Sequence, residues 1–314
     1  MSSDSEFMRS RRRALKCMAS GLAGTLYTLA GGVLTPIELA RAGERADRSV
    51  ASAIPLFVQL SDTHIGFNKE ANPDPGASLE RAIGLVNSLP TAPALILHTG
   101  DITHLAKPDE FDTARQLLCG LKVTELHTVP GEHDLADASA SEYFSRFGQS
   151  SGGKGYYSFD SHGVHFVALN NVMQFKPGGL GSLGTEQLGW LAADLRGRSA
   201  STPIVLFAHM PLWTVYEPWG WGTQDGAQAL ELVRRFGSVT VLNGHIHQIV
   251  QKLEGNVRLH TAPSTAYPQP SPGVGPGPGP LKVPADQLRQ VLGITQITLS
   301  SRSESRVLTD LHLA

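Results

Sequence analysis

The chain has 314 residues, of which 41% are hydrophobic and 17% are charged, a balance typical of a globular protein that can fill a sizeable core. Its formal net charge of −2 argues against nucleic-acid binding through bulk positive charge. The two cysteines, Cys17 and Cys119, do not form a CxxC pair, which excludes thiolate zinc sites, whereas there are twelve histidines.

The beginning of the chain has the pattern of an export signal. A basic segment from Ser10 to Lys16 precedes an uncharged run from Cys17 to Leu34, and Ala40-Arg41-Ala42 offers the small residues that a signal peptidase requires. The basic segment resembles the twin-arginine export motif, with Ala14 where phenylalanine is usual. An uncleaved membrane anchor is the alternative, because the run is just long enough to span a bilayer. Its four glycines and two threonines favour cleavage.

We therefore expect a signal peptide over residues 1–42, a polar linker over 43–53 and one domain over 54–314. The twin-arginine export machinery would deliver the protein to the periplasm or outside the cell. After cleavage we expect no stable association with the membrane.

From Ile54 onward, short apolar runs alternate with segments of helical spacing. The apolar runs predict buried strands, and they cover Pro55–Leu60, Ala94–Leu97, Leu126–Val129, Tyr156–Phe159, Val164–Leu169, Pro203–Phe207 and Val239–Leu242. Helices are predicted over Ser78–Leu89, Pro108–Leu121, Thr185–Leu195 and Ala227–Phe236. Four later runs are predicted to form a terminal series of antiparallel strands: Ile249–Leu253, Val257–Thr261, Ile294–Leu299 and Arg306–Leu311. The alternation of strands and helices predicts a layered α/β domain.

Five short polar blocks each follow a predicted strand. They are Asp62-Thr63-His64, Gly100-Asp101, Gly131-Glu132-His133-Asp134, His209 and Gly244-His245-Ile246-His247. Carboxylate and imidazole groups are the usual ligands of hydrolytic metals. Because sites in open α/β sheets form outside the carboxyl ends of the strands, the blocks can converge in space. Each block alone also fits an ordinary surface or hydrogen-bonding residue, but together they predict a metal site.

The spacing within two of the blocks suggests how one segment can provide two ligands. In an extended segment, side chains two residues apart point to the same side. The Asp62/His64 and His245/His247 pairs would then each face one site. The glycine before His245 would permit a close approach of the backbone.

In this order, the blocks resemble the pattern of the calcineurin-like metallophosphoesterase family over nearly all of residues 54–262. The helix over Gly184–Leu195 also resembles the family's phosphodiesterases and purple acid phosphatases. The chain resembles the cyclic-nucleotide and glycerophosphodiester phosphodiesterase branch more closely than the protein phosphatases. The resemblance implies a four-layer α/β/β/α sandwich. It also implies a small phosphate-ester substrate, a monoester or a diester, and two metal ions.

The resemblance also implies a role for each block. One ion would be bound by Asp62, His64, Asp101 and His247, and the other by Asp101, Glu132, His209 and His245. Asp101 would bridge the ions, and a hydroxide shared by them would be the nucleophile. His133 would donate a proton to the leaving oxygen or stabilise it, and Asp134 would hold the ring of His133 by a hydrogen bond. The ions, iron, manganese or zinc, would be two divalent ions or a mixed-valence pair.

Glu132 departs from the family, which has asparagine at this position. Glu132 would bind the second ion and favour a harder ion such as ferric iron, and this is the interpretation that we prefer. It would otherwise repel a dianionic phosphate and favour diesters, or weaken the second site and leave a slow or inactive enzyme. A fourth possibility is that its side chain swings away and water completes the ligand shell.

Several residues outside the blocks are candidates for substrate contacts. His104 follows Asp101 closely, and Trp213 and Tyr216 belong to an aromatic cluster with Trp219 and Trp221 that follows His209. The cluster would form a wall against a flat group or a patch that caps the sheet. The tract over Pro268–Pro280, rich in proline and glycine, would rim the same mouth or form a solvated loop. Cys119 is predicted to be inert core.

The leading hypothesis is thus an exported dinuclear phosphoesterase. One alternative is a non-catalytic or weakly active metal-binding protein of the same fold, altered at Glu132. A second is a metal hydrolase that acts on a non-phosphate ester or anhydride. Retention of His133 and Asp134 favours an enzyme, because neither is needed merely to hold a metal.

Overall fold

The structure is a computed structural model that describes residues 26–30, 33–37, 55–135, 139–174, 176–299 and 306–314. The chain divides into two compact units, Met1–Arg48 and Ser49–Ala314. In the first unit, Leu26–Ala30 (β1) and Val33–Ile37 (β2) pair as an antiparallel hairpin. The predicted twin-arginine segment, the cleavage site and the linker lie outside the described residues. Among the described residues, no helix has both the length and the apolar character needed to cross a bilayer.

The second unit contains the elements that position the site. Its strands are Pro55–Leu60 (β3), Leu95–His98 (β4), Leu126–Thr128 (β5), Tyr157–Ser161 (β6), Val164–Ala168 (β7), Ile204–Phe207 (β8), Val239–Asn243 (β9), Gln251–Glu254 (β10), Val257–Thr261 (β11), Gly293–Leu299 (β12) and Arg306–His312 (β13). Its α-helices are Pro75–Asn87 (α1), Pro108–Leu118 (α2), Ser141–Arg146 (α3), Gly184–Leu195 (α4), Gly226–Val233 (α5) and Leu288–Val291 (α6).

The strands form two mixed sheets. The first sheet has the order β10-β11-β9-β8-β7-β6, with parallel strands in its centre and the antiparallel strands β10 and β6 at its edges. The second sheet has the order β13-β12-β3-β4-β5. Here β3, β4 and β5 are parallel, and β12 and β13 are antiparallel to their neighbours.

The predicted terminal series of antiparallel strands is therefore wrong in its topology. β10 pairs with β11, and β12 pairs with β13, but the two pairs lie in different sheets, and β11 runs parallel to β9. The reason is burial. Val257 and Leu259 of β11 complete the core beneath one pair of helices, whereas Ile294 of β12 belongs to the core beneath the other.

Successive side chains along a strand point to opposite faces of its sheet, and this alternation allows the two sheets and the helices to pack as four layers. Val58 of β3 points to the core beneath α1 and α2, whereas its neighbour Phe57 points to the other sheet. There Phe57 packs edge-on against Phe166 of β7, with ring centroids 5.2 Å apart. Helices α4 and α5 cover the outer face of the first sheet. The α/β/β/α sandwich expected from the sequence is confirmed.

Helix boundaries differ from the prediction where capping residues, and not the spacing of apolar residues, determine where a helix begins or ends. Helix α1 begins at Pro75, before the predicted Ser78, because the side chain of Asp74 accepts a hydrogen bond from the N–H of Ala77 at 2.9 Å. Helix α2 begins at Pro108 as predicted but ends at Leu118. Cys119 is the cap residue and is exposed, so the prediction that it belongs to the core is wrong.

His98, at the end of β4, makes stability depend on pH. Its side chain is fully buried, and this desolvation lowers its pKa from the usual 6.5 to about 4. Between these values the unfolded chain binds the proton more readily, so stability falls as the pH falls. We expect His98 to account for a loss of about 2 kcal/mol between about pH 7.5 and about pH 5.

Urea unfolding of the wild type and of His98→Gln at both pH values measures this loss. The variant should lose less stability on acidification by that amount, whereas His162→Gln, in an exposed turn, should behave like the wild type. Equal losses in the wild type and His98→Gln would contradict the assignment.

Candidate metal centre

The structure brings all seven predicted ligands to one edge of the sandwich. Asp62 and His64 follow β3, Asp101 follows β4, and Glu132 follows β5. His209 follows β8 in the other sheet, and His245 and His247 follow β9. Because β3, β4 and β5 are parallel, and β8 and β9 are parallel, the carboxyl ends within each sheet lie side by side.

The ligands form two clusters. In the first, His247 Nε2 lies 3.3 Å from Asp62 Oδ1 and 3.1 Å from His64 Nε2. In the second, the carboxylate of Glu132 spans two imidazoles, with Oε2 2.7 Å from His209 Nε2 and Oε1 2.9 Å from His245 Nδ1. The side chain of Glu132 has therefore not swung away, which excludes one of the four possibilities considered above.

Asp101 lies between the clusters. Its Oδ2 is 3.5 Å from His64 Nε2 and 3.4 Å from His209 Nε2, so one oxygen atom approaches a ring of each cluster. Its Oδ1 accepts a hydrogen bond from the N–H of His133 at 2.9 Å, which fixes the carboxylate. A carboxylate in this position can serve two ions at once.

The donor atoms themselves fit metal ions. Four of the buried atoms that lack a hydrogen-bond partner among the described residues belong to the second cluster, namely Glu132 Oε2, His209 Nε2 and both ring nitrogens of His245. The 2.7 Å approach of His209 Nε2 to Glu132 Oε2 lacks hydrogen-bond geometry. Buried polar atoms of this kind are costly unless a further partner binds them. Imidazole nitrogens and carboxylate oxygens within 4.8 Å of one another suit zinc, iron or manganese.

The electrostatics of the second cluster also favour the binding of a positive charge. Burial alone would raise the pKa of Glu132, but His245 and His209 outweigh it and hold that pKa well below its usual range. Burial alone would lower the pKa of His209, but the carboxylates of Asp101 and Glu132 raise it well above its usual value. A proton or a metal ion between these groups satisfies both shifts.

The backbone at the ligands is left-handed rather than extended. The φ angles of Asp62, His64, Asp101, His245 and His247 are 54°, 40°, 52°, 69° and 51°. The expectation that extended geometry makes each pair converge is thus wrong. Left-handed conformations of non-glycine residues are sparsely populated, and they occur where surrounding structure enforces them, often at functional sites.

Gly244 allows the second sheet to meet the first at the site. A Cβ atom on Gly244 would lie 2.1 Å from Ser61 Oγ and 2.5 Å from Asp62 Oδ2. Gly244→Ala is therefore expected to displace Asp62 and lower the affinity of the first cluster for its ion by about tenfold or more, so elemental analysis after dialysis should find less metal per chain. Gly84→Ala, in helix α1 with open space around it, is the matched control and should leave the metal content unchanged. A full metal content in Gly244→Ala would contradict the close approach.

Hydrogen bonds from the second ring nitrogen orient two of the histidines. His209 Nδ1 donates to the carbonyl of Thr99 at 2.7 Å, and His247 Nδ1 donates to the carbonyl of Tyr267 at 2.6 Å. In each case Nε2 is left to face the cluster, as is usual for imidazoles that bind metals. The Tyr267 hydroxyl also lies 3.3 Å from His64 Nε2. Sequence reasoning missed Tyr267 because no motif surrounds it.

The predicted partnership between Asp134 and His133 is wrong. The Nδ1 atom of His133 donates to the carbonyl of His104 at 2.7 Å. Asp134 instead accepts hydrogen bonds from the backbone N–H groups of Ile102, Thr103 and Gly131 at 3.1, 2.9 and 3.0 Å. Burial and the charge of Asp101 raise the pKa of Asp134 to about 7 against these bonds. Asp134 thus joins the loops that carry Asp101 and Glu132 and positions His133 only through the backbone.

A cavity of about 300 Å³ opens above the clusters. Asp101, Glu132, His133 and His245 contribute to its lining, and His104 does as well, with its ring stacked on His133 at 4.9 Å. Its aromatic lining includes Trp219 and Trp221 rather than the predicted Trp213 and Tyr216. Trp213 packs against the core beneath α4 and α5, and Tyr216 packs edge-on against Trp219. Pro278 and Pro280 of the proline- and glycine-rich tract reach the rim, as one of the two expectations for that tract foresaw.

The calcineurin-like phosphoesterase family profile matches residues 55–249, and the chain belongs to this family. The chain is similar to the glycerophosphodiester phosphodiesterase GpdQ of Enterobacter lignolyticus, with 26% identity over 227 residues that cover 68% of this chain and 78% of that protein. It is also similar to the serine/threonine-protein phosphatase CPPED1 of Mus musculus, with 28% identity over 216 residues, 61% of this chain and 69% of that protein.

Comparison of structures supports the same fold. A crystal structure of a dimetal phosphatase from Danio rerio superposes with a TM-score of 0.63 and 15% identity, and the match covers 83% of this chain and 97% of that one. The chain thus belongs to a family of phosphoesterases, the curated proteins that it resembles are a phosphodiesterase and a phosphatase, and it has residue clusters suited to metal ions.

Proposed function

We propose that the protein is a dinuclear metal-dependent phosphoesterase that hydrolyses phosphodiesters or phosphomonoesters. The observation that carries the proposal is the pair of ligand clusters joined by the single Oδ2 atom of Asp101. Asp62, His64, Asp101 and His247 would hold one ion, and Asp101, Glu132, His209 and His245 the other.

The residues have distinct tasks in this scheme. When bound, the two ions supply an activated water and neutralise the charge of the phosphoryl oxygens. Because Nδ1–H of His133 is committed to the carbonyl of His104, Nε2 is the atom that can hold or deliver a proton to the leaving oxygen. Burial opposes protonation of His133, but the carboxylates of Asp101 and Glu132 outweigh it and raise the pKa of this ring.

Because Glu132 stands where the family has asparagine, one competing function remains: a metal-binding protein with little or no turnover. The full chain, supplied with manganese, zinc or iron, would be assayed on bis(p-nitrophenyl) phosphate and p-nitrophenyl phosphate. Turnover that a chelator abolishes and the added metal restores supports the enzyme, and the preferred ester selects diesters or monoesters. Two bound ions without turnover of either ester would favour the binding protein.

We further propose that the protein is exported by the twin-arginine machinery to the periplasm or beyond. The support is the sequence from Ser10 to Ala42. In a bacterial host, Arg11→Lys combined with Arg12→Lys should retain the full-length chain in the cytoplasm, whereas the unaltered protein should be recovered outside it, beginning near Gly43. Equal export of both forms would overturn this proposal.

A further inference from the structure

One part of the cavity wall is flat and apolar, and no role in holding metal accounts for it. Trp219, Pro278 and Pro280 contribute to the lining of the cavity, and all three belong to segments outside the ligand blocks. Trp219 is half-buried, so part of its ring remains accessible. Aromatic faces of this kind stack with other flat rings.

The ring of Trp219 is held in a fixed orientation. Tyr216 meets it at 87° with ring centroids 5.3 Å apart, and the fully buried Trp221 meets it at 81° and 5.1 Å. Gly220 follows with a φ of 70°, and a Cβ there would lie 2.4 Å from the carbonyl oxygen of Gly179. The loop that carries Trp219 is therefore pressed against its neighbour, and only glycine fits at the contact.

Hydrogen bonds complete a preformed wall. The N–H of Gly181 donates to the carbonyl of Gly222 at 2.9 Å, which joins the loop of Trp219 to the segment before α4. The proline- and glycine-rich tract is closed by a bond of 2.8 Å from the N–H of Leu281 to the carbonyl of Pro268. Gln248 donates to the carbonyl of Gln269 at 3.0 Å and so ties the tract to the segment that follows His247. A preformed wall binds a flat group with little loss of conformational entropy.

The charges around the cavity limit the ligand further. Among the described residues of the lining, Lys69 is the one lysine or arginine, whereas Asp101 and Glu132 place carboxylates at the floor. Apart from bound ions, the cavity therefore offers few lysine or arginine side chains to neutralise a second negative charge on a substrate. A phosphodiester, with one negative charge, suits this lining better than a dianionic monoester.

We propose that the substrate is a phosphodiester in which one ester group carries a flat, uncharged ring, aryl or nucleobase, stacked on Trp219. This proposal rests on the phosphoesterase function proposed above. In the reaction, the oxygen of water bonds to phosphorus while the bond from phosphorus to one ester oxygen breaks. That oxygen leaves as an alcohol with a proton, and a phosphomonoester remains.

The test combines a variant with substrates that carry or lack a ring. The metal-supplied full chain and Trp219→Ala would be compared on bis(p-nitrophenyl) phosphate, on the p-nitrophenyl ester of thymidine 5′-phosphate and on glycerophosphoethanolamine. We expect Trp219→Ala to lower kcat/KM for the two ring-bearing diesters by about tenfold to a hundredfold, chiefly through KM. The rate on glycerophosphoethanolamine should change less than about twofold. A larger loss on the thymidine ester than on bis(p-nitrophenyl) phosphate assigns the stacking to the nucleobase, whereas a loss on the thymidine ester that is no larger assigns it to the aryl group that both substrates carry.

Trp190→Ala is the matched control, because Trp190 packs beside Tyr156 against the core beneath α4 and α5. It should leave all three rates unchanged. Equal losses on all three substrates in Trp219→Ala, or no loss, would overturn the substrate class while leaving the phosphoesterase function intact. If the wild type hydrolysed none of them, the phosphoesterase function itself would fail. Calorimetry then still decides the stacking, since phenyl phosphate should bind about tenfold to a hundredfold more tightly than methyl phosphate, a preference that Trp219→Ala should abolish.

Discussion

Asp101→Ala is expected to release both metal ions and to lower kcat for phosphoester hydrolysis by about 10⁴-fold or more, the scale on which residues that act as one catalytic unit fail. Its Oδ2 lies within 3.5 Å of a histidine nitrogen in each cluster, so its loss removes a ligand from both. The loss also frees the N–H of His133 from its acceptor. Metal content by elemental analysis and initial rates on the preferred ester measure the two effects.

The matched control for Asp101→Ala is Asp286→Ala, which removes an exposed carboxylate. That variant should keep the metal content and the rate of the wild type. If Asp101→Ala retained two ions per chain, Asp101 would not be the shared ligand, and the arrangement of the two clusters would need a different bridge.

Glu132→Gln is expected to lower the affinity for the second ion by about a hundredfold while leaving the first site occupied, because it removes a buried charge from between His209 and His245 but preserves the shape of the side chain. The two clusters contain three carboxylates, from Asp62, Asp101 and Glu132. Three negative charges favour a trivalent ion beside a divalent one, so the variant should also lose any preference for ferric iron.

Competition with a chelator and the oxidation state of bound iron would measure these changes. Glu132→Asn tests the interpretation that Glu132 repels a dianionic phosphate, since that repulsion predicts a faster monoester reaction in the variant. Unchanged affinity for both ions in Glu132→Gln would show that Glu132 is not a ligand.

The ligand blocks were predictable from the sequence because each is local and follows an apolar strand. Their convergence follows from a general rule for parallel strands, and the structure brings all seven residues together. The left-handed backbone at Asp62 and His245 was not predictable, because non-glycine residues rarely adopt it without tertiary contacts. The role of Asp134 also escaped prediction, since two of its three backbone partners, Ile102 and Thr103, come from a different loop.

The residues that form the cavity wall were also only partly predictable from the sequence. The aromatic cluster after His209 was visible in the sequence, but the choice of Trp219 over Trp213 depends on how its loop turns at Gly220. Tyr267 lies in a loop after β11, where no spacing distinguishes it from other tyrosines. The two sheets were harder to assign than their strands, because apolar runs alone do not indicate which of two cores will bury them.

The most direct test of two ligand clusters sharing one carboxylate is the number of metal ions bound per chain, measured by elemental analysis on wild type and Asp101→Ala together. The structure predicts two ions per wild-type chain and the loss of both in the variant. One ion in the wild type, or two ions retained in the variant, would contradict it.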